Sequence, residues 1–331
     1  MTTIKIKDIA IYHPEKAIHN DYYVDHFKKR TGEDLTHFLK DVLGRESRYI
    51  IDNDEENSLS MGVEASKRVL AKANVDAEDL DMIMFASQVP ENIFPTNAVL
   101  VHREIGGGSK TGTLDINANC SGMTTGLDQA SRYLMSNPHM KQILLVGSDY
   151  SSLVMDPADT ITYPNFGDAA VAILLEKTEE PETGFIDSMY FTDSSNFDRV
   201  TFPQKGLSKA LKGQGTIDYV QWLPFDGDVS IDNATIMINS LLARNNLKTA
   251  DVAAYCLSQF AISNINKLRD NLHVEDKQMI YVGDKFGYTG TTSPFLALHE
   301  GIQDGRIQRG DYVLLWTVGV GYQLIAVLFK Y

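Results

Sequence analysis

Hydrophobic positions along this chain fall into blocks that switch between two periods. Ile4, Ile6, Ile9 and Ile11 alternate with polar residues and predict a strand or strand pair over 3–12. A polar stretch, 18–50, holds helical pieces around 20–29 and 35–43. Val63, Ala65, Val69 and Leu70 are spaced for a helix over 61–73; 80–86 reads as an apolar strand and 96–105 as a helix. The segment 111–118 alternates and runs into Cys120, after which Met123, Leu127, Ala130 and Leu134 predict a helix ending near Pro138. The runs 142–147 and 170–175 are apolar throughout, which predicts strands covered on both faces.

The second half restarts the series. A strand is expected over 185–191, then a polar, aperiodic surface excursion over 192–228. Helices follow at 234–243, 262–272 and 293–302, with strands at 252–257, 279–282, 312–318 and 322–329. The halves echo each other. Asn74 to Asp79 precedes an apolar strand as Asn246 to Asp251 does, and Asp79 and Asp251 lie 172 residues apart. Ile143 and Val313, at the heads of two later strands, lie 170 apart. Two βαβ-type copies imply an internal duplication: an N-terminal half over 1–178 that carries the cysteine, and a C-terminal half over 179–331, forming one compact unit. Helices are expected outside and between two sheets.

Composition narrows the function classes. With 331 residues, 43% hydrophobic and 22% charged, the chain suits a globular α/β protein with a large core. A net charge of −14 and no basic stripe argue against nucleic acid as a partner. No apolar run is long enough for a membrane span, and the N-terminus lacks the apolar core of a signal peptide. Two cysteines, Cys120 and Cys256, are too few for a disulfide framework and fit a reducing cytoplasm. The eight histidines are scattered, so no metal is expected.

Chemistry centres on Cys120, at the point where a strand becomes a helix. A helix N-terminus favours a thiolate, so a depressed pKa and a nucleophilic role are expected. The bland alternative is a small buried hydrophobe, which is how Cys256, in mid-strand, reads. By the repeat, Cys120 corresponds to about position 291, so the loop 284–292, with Gly287 and Thr289, is expected at the same place, lining a pocket or simply turning. Gly319 and Gly321 flank Val320 between the closing strands, where backbone can approach a substrate or form a plain hairpin. Glu91 reads as a solvated loop residue, and Asp168 as a structural hydrogen-bonding one.

Taken together, the duplication, the strand–Cys120–helix unit, Phe94 to Asn97, Phe166 to Asp168, Gly287 and the closing Gly319 to Gly321 resemble β-ketoacyl-[acyl-carrier-protein] synthase III, a branch of the thiolase superfamily, over nearly the whole chain. The resemblance implies a five-layered αβαβα fold, a homodimer or a heterodimer with a paralogue, and no cofactor beyond substrates carried as coenzyme A or phosphopantetheine thioesters. Cys120 matches the family nucleophile. The backbone N–H groups of Cys120 and Val320 match its oxyanion hole, and Phe94 matches the residue that floors the partner's acyl pocket. Two departures stand out: Gln259 occupies the place of the family histidine and Tyr288 that of the asparagine. Neither is a base near neutral pH, although both can donate hydrogen bonds. Substrate-handling positions differ as well, with Phe38, Val42, Thr160, Ile262 and Asn264 where the family has clamping and docking residues. The expected function is an acyltransferase, acylated on Cys120, in a specialised lipid or secondary-metabolite pathway. The alternatives are an impaired heterodimer subunit and a decarboxylating synthase using Gln259 and Tyr288.

Overall fold

The computed structural model describes residues 3–180 and 183–331. The alternation of Ile4, Ile6 and Ile9 builds β1 (Thr3–Tyr12), with these three side chains in the core. A short antiparallel pair, β2 (Ala17–His19) and β3 (Ser47–Tyr49), brackets α1 (Asn20–Arg30). Next come α2 (Ser58–Ala73), β4 (Met82–Ala86), α3 (Asn97–Ile105) and β5 (Gly112–Ile116). They are followed by α4 (Gly122–Ser136), β6 (Gln142–Asp149) and β7 (Ala169–Thr178). The start of α2 is set by a reciprocal capping box between Asn57 and Ser60, its end by Asn74 in the left-handed region at φ 52°. The first sheet has the order β1-β7-β6-β4-β5, with β4 parallel to both β5 and β6.

The second series runs β8 (Gly184–Thr192), β9 (Val200–Thr201), α5 (Leu207–Leu211), β10 (Gln221–Trp222) and α6 (Asp228–Arg244). It continues with β11 (Val252–Leu257), α7 (Ile262–Leu272), α8 (Gly283–Phe286), α9 (Ser293–Gln303), β12 (Tyr312–Gly319) and β13 (Gln323–Lys330). Its sheet has the order β11-β12-β13-β8. That order and its strand directions repeat β4-β6-β7-β1 of the first sheet, which makes the duplication visible in three dimensions.

Helices α4 and α9 lie between the sheets. Leu127, Ala130 and Leu134 of α4, with Phe295 and Leu296 of α9, share one core with Ile143 and Leu145 of the first sheet and Leu315 and Val327 of the second. On the outside, α2 covers Leu144 and Val146, while α6 and α7 cover Leu314 and Leu324. Two sheets with helices outside and between give five layers. Each fully buried aliphatic side chain contributes about 1.5–3 kcal/mol, so the central layer anchors the fold.

Two local expectations are corrected. The segment 279–282 is not a strand: it makes a single bridge, Met279 to Tyr255. The Gln259 side chain takes the ladder's place, donating to the Ile280 carbonyl and accepting from the Val282 N–H. The strand ahead of Cys120 stops at Ile116, and a turn follows in which Asn119 has φ 53°.

Candidate active site

Cys120 sits after that turn and just before α4, whose first residue is Gly122. Left-handed backbone at Asn119 is costly for most side chains, and asparagine tolerates it by local hydrogen bonding. Here its amide donates to Gln323 Oε1 (2.9 Å), tying the turn to the β12–β13 hairpin. On the other side, the Met123 N–H donates to Thr291 Oγ1 (2.6 Å), so the starts of α4 and α9 meet where the repeat places them. Cys120 lines a cavity of about 240 Å3, together with Tyr288, Gln88, Gly319, Val320 and Gly321.

One hydrogen-bonded chain passes through the sulfur. Ser258 Oγ donates to the Tyr288 hydroxyl (3.3 Å), and that hydroxyl bonds to the Cys120 thiol. The thiol donates to Gln88 Oε1 (3.5 Å), while Gln88 Nε2 donates to Asp149 Oδ2 (3.1 Å). The Asp149 carboxylate also accepts from Ser87 Oγ and from the N–H groups of Gln88, Val89 and Thr291. It thereby fixes which end of the Gln88 amide faces the sulfur. Gly290, at φ 60°, leaves room for this pair, since a Cβ there would lie 2.5 Å from both Asp149 Oδ2 and Gln88 Nε2.

Burial pushes the Cys120 thiol up to about 11 and keeps Tyr288 protonated well above its ordinary value. The expected depressed thiol is therefore corrected. A helix N-terminus supplies about 0.3–2 kcal/mol, and burial of the sulfur, with only 8% of the residue exposed, outweighs it. At rest the Cys120 side chain is a neutral thiol.

The structure separates the other predicted residues. Gln259 does not line the cavity. Its amide is spent on the carbonyls of Leu257 (2.8 Å) and Ile280 (3.1 Å) and on the Val282 N–H (2.9 Å). Its neighbours face the site instead: Ser258 toward Tyr288, and Phe260 into the cavity. Gly287 and Thr289 stand behind the wall. At φ 71°, Gly287 admits the close approach that lets Tyr288 bond through its N–H to Asn165 (2.9 Å) and through its carbonyl to Gly167 (3.0 Å). Thr289 accepts from Thr292 Oγ1 (2.8 Å). Phe94 is 85% exposed on the loop before α3 and does not line this chain's own cavity. Asp168 accepts from the Ile51 and Ser152 N–H groups and from Ser152 Oγ, and burial raises it to about 6. Cys256 is wholly buried core.

The excursion over 192–228 is also corrected: it folds back over the sulfur. Arg199, Val200, Phe202, Val220, Trp222 and Phe225 line the cavity from it. The apolar spacing of Val220, Trp222 and Phe225 was the available signal. Nothing in the sequence marked Gln88, Asp149 or Ser258, which depend on neighbours far away along the chain. Among the described residues no cluster of three His, Cys, Asp or Glu side chains is placed to hold a metal.

A buried cysteine at a strand–helix junction between two duplicated, helix-separated sheets defines a thiolase-fold acyl-transferring condensing enzyme. The sequence models of 3-oxoacyl-[acyl-carrier-protein] synthase III match residues 114–194 and, for its C-terminal part, 242–331, together just over half of the chain. The chain belongs to this family. A β-ketoacyl-[acyl-carrier-protein] synthase III from Solibacter usitatus is 28% identical, with 100% of this chain and 99% of the relative covered. The crystal structure of 3-oxoacyl-[acyl-carrier-protein] synthase III from Aquifex aeolicus superposes with a TM-score of 0.87 at 25% identity, covering 99% of this chain and 100% of the other. The priming β-ketosynthase of the R1128 polyketide pathway shares the fold at a TM-score of 0.86 and 21% identity, covering 99% and 96%.

Proposed function

We propose that Cys120 takes an acyl group from a coenzyme A or carrier-protein thioester and passes it to a carbon nucleophile. The observation that carries this reading is the placement of the Cys120 thiol beside Gln88, Tyr288 and the Gly319–Gly321 turn in one open cavity. Capture needs no strong base. The Cys120 sulfur attacks the thioester carbonyl, the C–S bond to the carrier breaks, and the thiol proton ends on the departing carrier sulfur. Tyr288, protonated before and after, is assigned as the relay: the thiol turns its proton from Gln88 to the Tyr288 oxygen as the Tyr288 proton passes to the departing sulfur. The backbone N–H groups of Cys120 and Val320 are assigned to the tetrahedral oxyanion, where each well-placed donor contributes about 3–4 kcal/mol.

The cavity lining contains no carboxylate and no imidazole. An acceptor that forms its nucleophile by losing CO2 fits such a lining, because the electron pair of the broken C–C bond becomes the enolate and no proton has to be removed. That enolate attacks the acyl carbonyl and Cys120 leaves with its electron pair. Arg199, the one charged residue of the lining, is assigned to a carrier phosphate at the mouth. A specialised pathway, a cytoplasmic location and a homodimer are part of this reading, and the altered clamping positions support the first of them. The Cys120–Tyr288 pair within an open cavity weighs against an impaired subunit.

The test is intact-protein mass spectrometry after incubation with acyl-coenzyme A and acyl-carrier donors. An acyl adduct on the wild type that is absent from Cys120→Ala is expected. No adduct with any donor would move the chemistry to a paralogous partner.

A further inference from the structure

The walls around Cys120 are unusual for a pocket that holds an alkyl chain. Of the 26 residues lining the cavity, seven are aromatic and none is leucine or isoleucine, in a chain that is 9% aromatic overall. Four of the rings cluster at the nucleophile. Trp222 and Phe260 lie parallel, with planes 1° apart and centroids 5.6 Å apart. Tyr288 stands edge-on to Phe260 at 5.3 Å and to Phe166 at 5.1 Å. The aliphatic remainder is six valines and Met155, mostly short and stiff at χ1. The site therefore offers flat, rigid π surfaces in offset-parallel and edge-to-face arrangements, the two geometries in which a further ring is stabilised beyond its buried area. Arg199 is the only charge, so a charged acyl group would lose its hydration without a partner inside.

We infer that the acyl group Cys120 receives is uncharged and carries a π-system, an aryl or conjugated chain rather than a saturated one. This rests on the proposed acylation of Cys120. Trp222 and Phe260 are its specificity-determining residues, and Trp222 comes from the excursion that folds over the site.

The test is a competition between phenylacetyl- and cyclohexylacetyl-coenzyme A at equal concentration. The two acyl groups have similar bulk, and in both a methylene insulates the carbonyl. The rings differ in their π-system and in the flatness that comes with it. Intact mass spectrometry reads the ratio of early adducts on Cys120. A preference for phenylacetyl of about 10-fold is expected, the size that one or two favourable ring contacts supply, and Trp222→Leu should bring the ratio below about 3. Equal adducts, or a cyclohexylacetyl preference in the wild type, overturn the inference while leaving Cys120 acylation standing. No adduct from either donor or from hexanoyl-coenzyme A, with Cys120 still alkylated by iodoacetamide, overturns the acylation reading and this inference with it.

Discussion

The chemistry turns on one sulfur whose surroundings oppose its ionisation. With the Cys120 thiol pushed up to about 11, the neutral form dominates through the physiological range. The alkylation rate of Cys120 should rise about tenfold per pH unit and level off only near pH 11, because the thiolate is the reactive form. Cys256, raised further by burial in the core, should stay unmodified. Tyr288→Phe removes the one hydroxyl that can donate to the thiolate. A hydrogen bond to a charged group is worth about 1.5–3 kcal/mol, so alkylation at a fixed pH should slow by about 10-fold or more. Stopped-flow or mass-resolved alkylation from pH 7 to 11 measures both effects, and a plateau below pH 9 would contradict the neutral-thiol description. Cys120 was legible as a candidate from the strand–helix pattern, and Tyr288 only through the family resemblance. The sign of the thiol's shift was not, because desolvation depends on what covers the sulfur.

At the scale of elements, the wall that presents Ser258 and Phe260 is held by a buried cation. Arg45, wholly buried, donates to the carbonyls of Gln259 (2.6 Å) and Phe260 (2.8 Å), to Asn165 Oδ1 (2.8 Å) and to the Tyr281 hydroxyl (2.6 Å). Arg45→Met would leave these acceptors unpaired in the interior. Each buried acceptor left unpaired costs about 1–3 kcal/mol, so the urea midpoint should fall clearly, and acyl capture should slow as Phe260 loses its support. An unchanged midpoint would mean that water reaches these acceptors. The same loop explains the misplaced Gln259. A sequence comparison sets a side chain against a position, but only the backbone path decides which of three successive residues turns inward. Here Gln259 serves Leu257, Ile280 and Val282, and the site falls to its two neighbours.

For the whole molecule, the exposed Ile93 (66%) and Phe94 (85%) lie together on the loop before α3, in the same half as the unpaired outer edge of β5. We assign this pair of exposed apolar side chains to the proposed dimer interface. Phe94→Asp should shift a homodimer toward monomer in size-exclusion chromatography with light scattering, and lower acyl transfer if Phe94 floors a partner's pocket. A dimer of unchanged stability would place the interface elsewhere.

The sequence by itself determined the repeat, most of the strands and helices, the family resemblance and Cys120 as the candidate nucleophile, since these are written in periodicity or in short segments. Period and composition are properties of neighbours along the chain. The tertiary structure alone decided that the excursion over 192–228 roofs the cavity, that Asp149 and Gln88 orient the thiol, that Ser258 replaces Gln259 beside Tyr288, and that burial outweighs the helix dipole at Cys120. Each of these depends on groups brought together from distant segments, and on the water that their packing excludes.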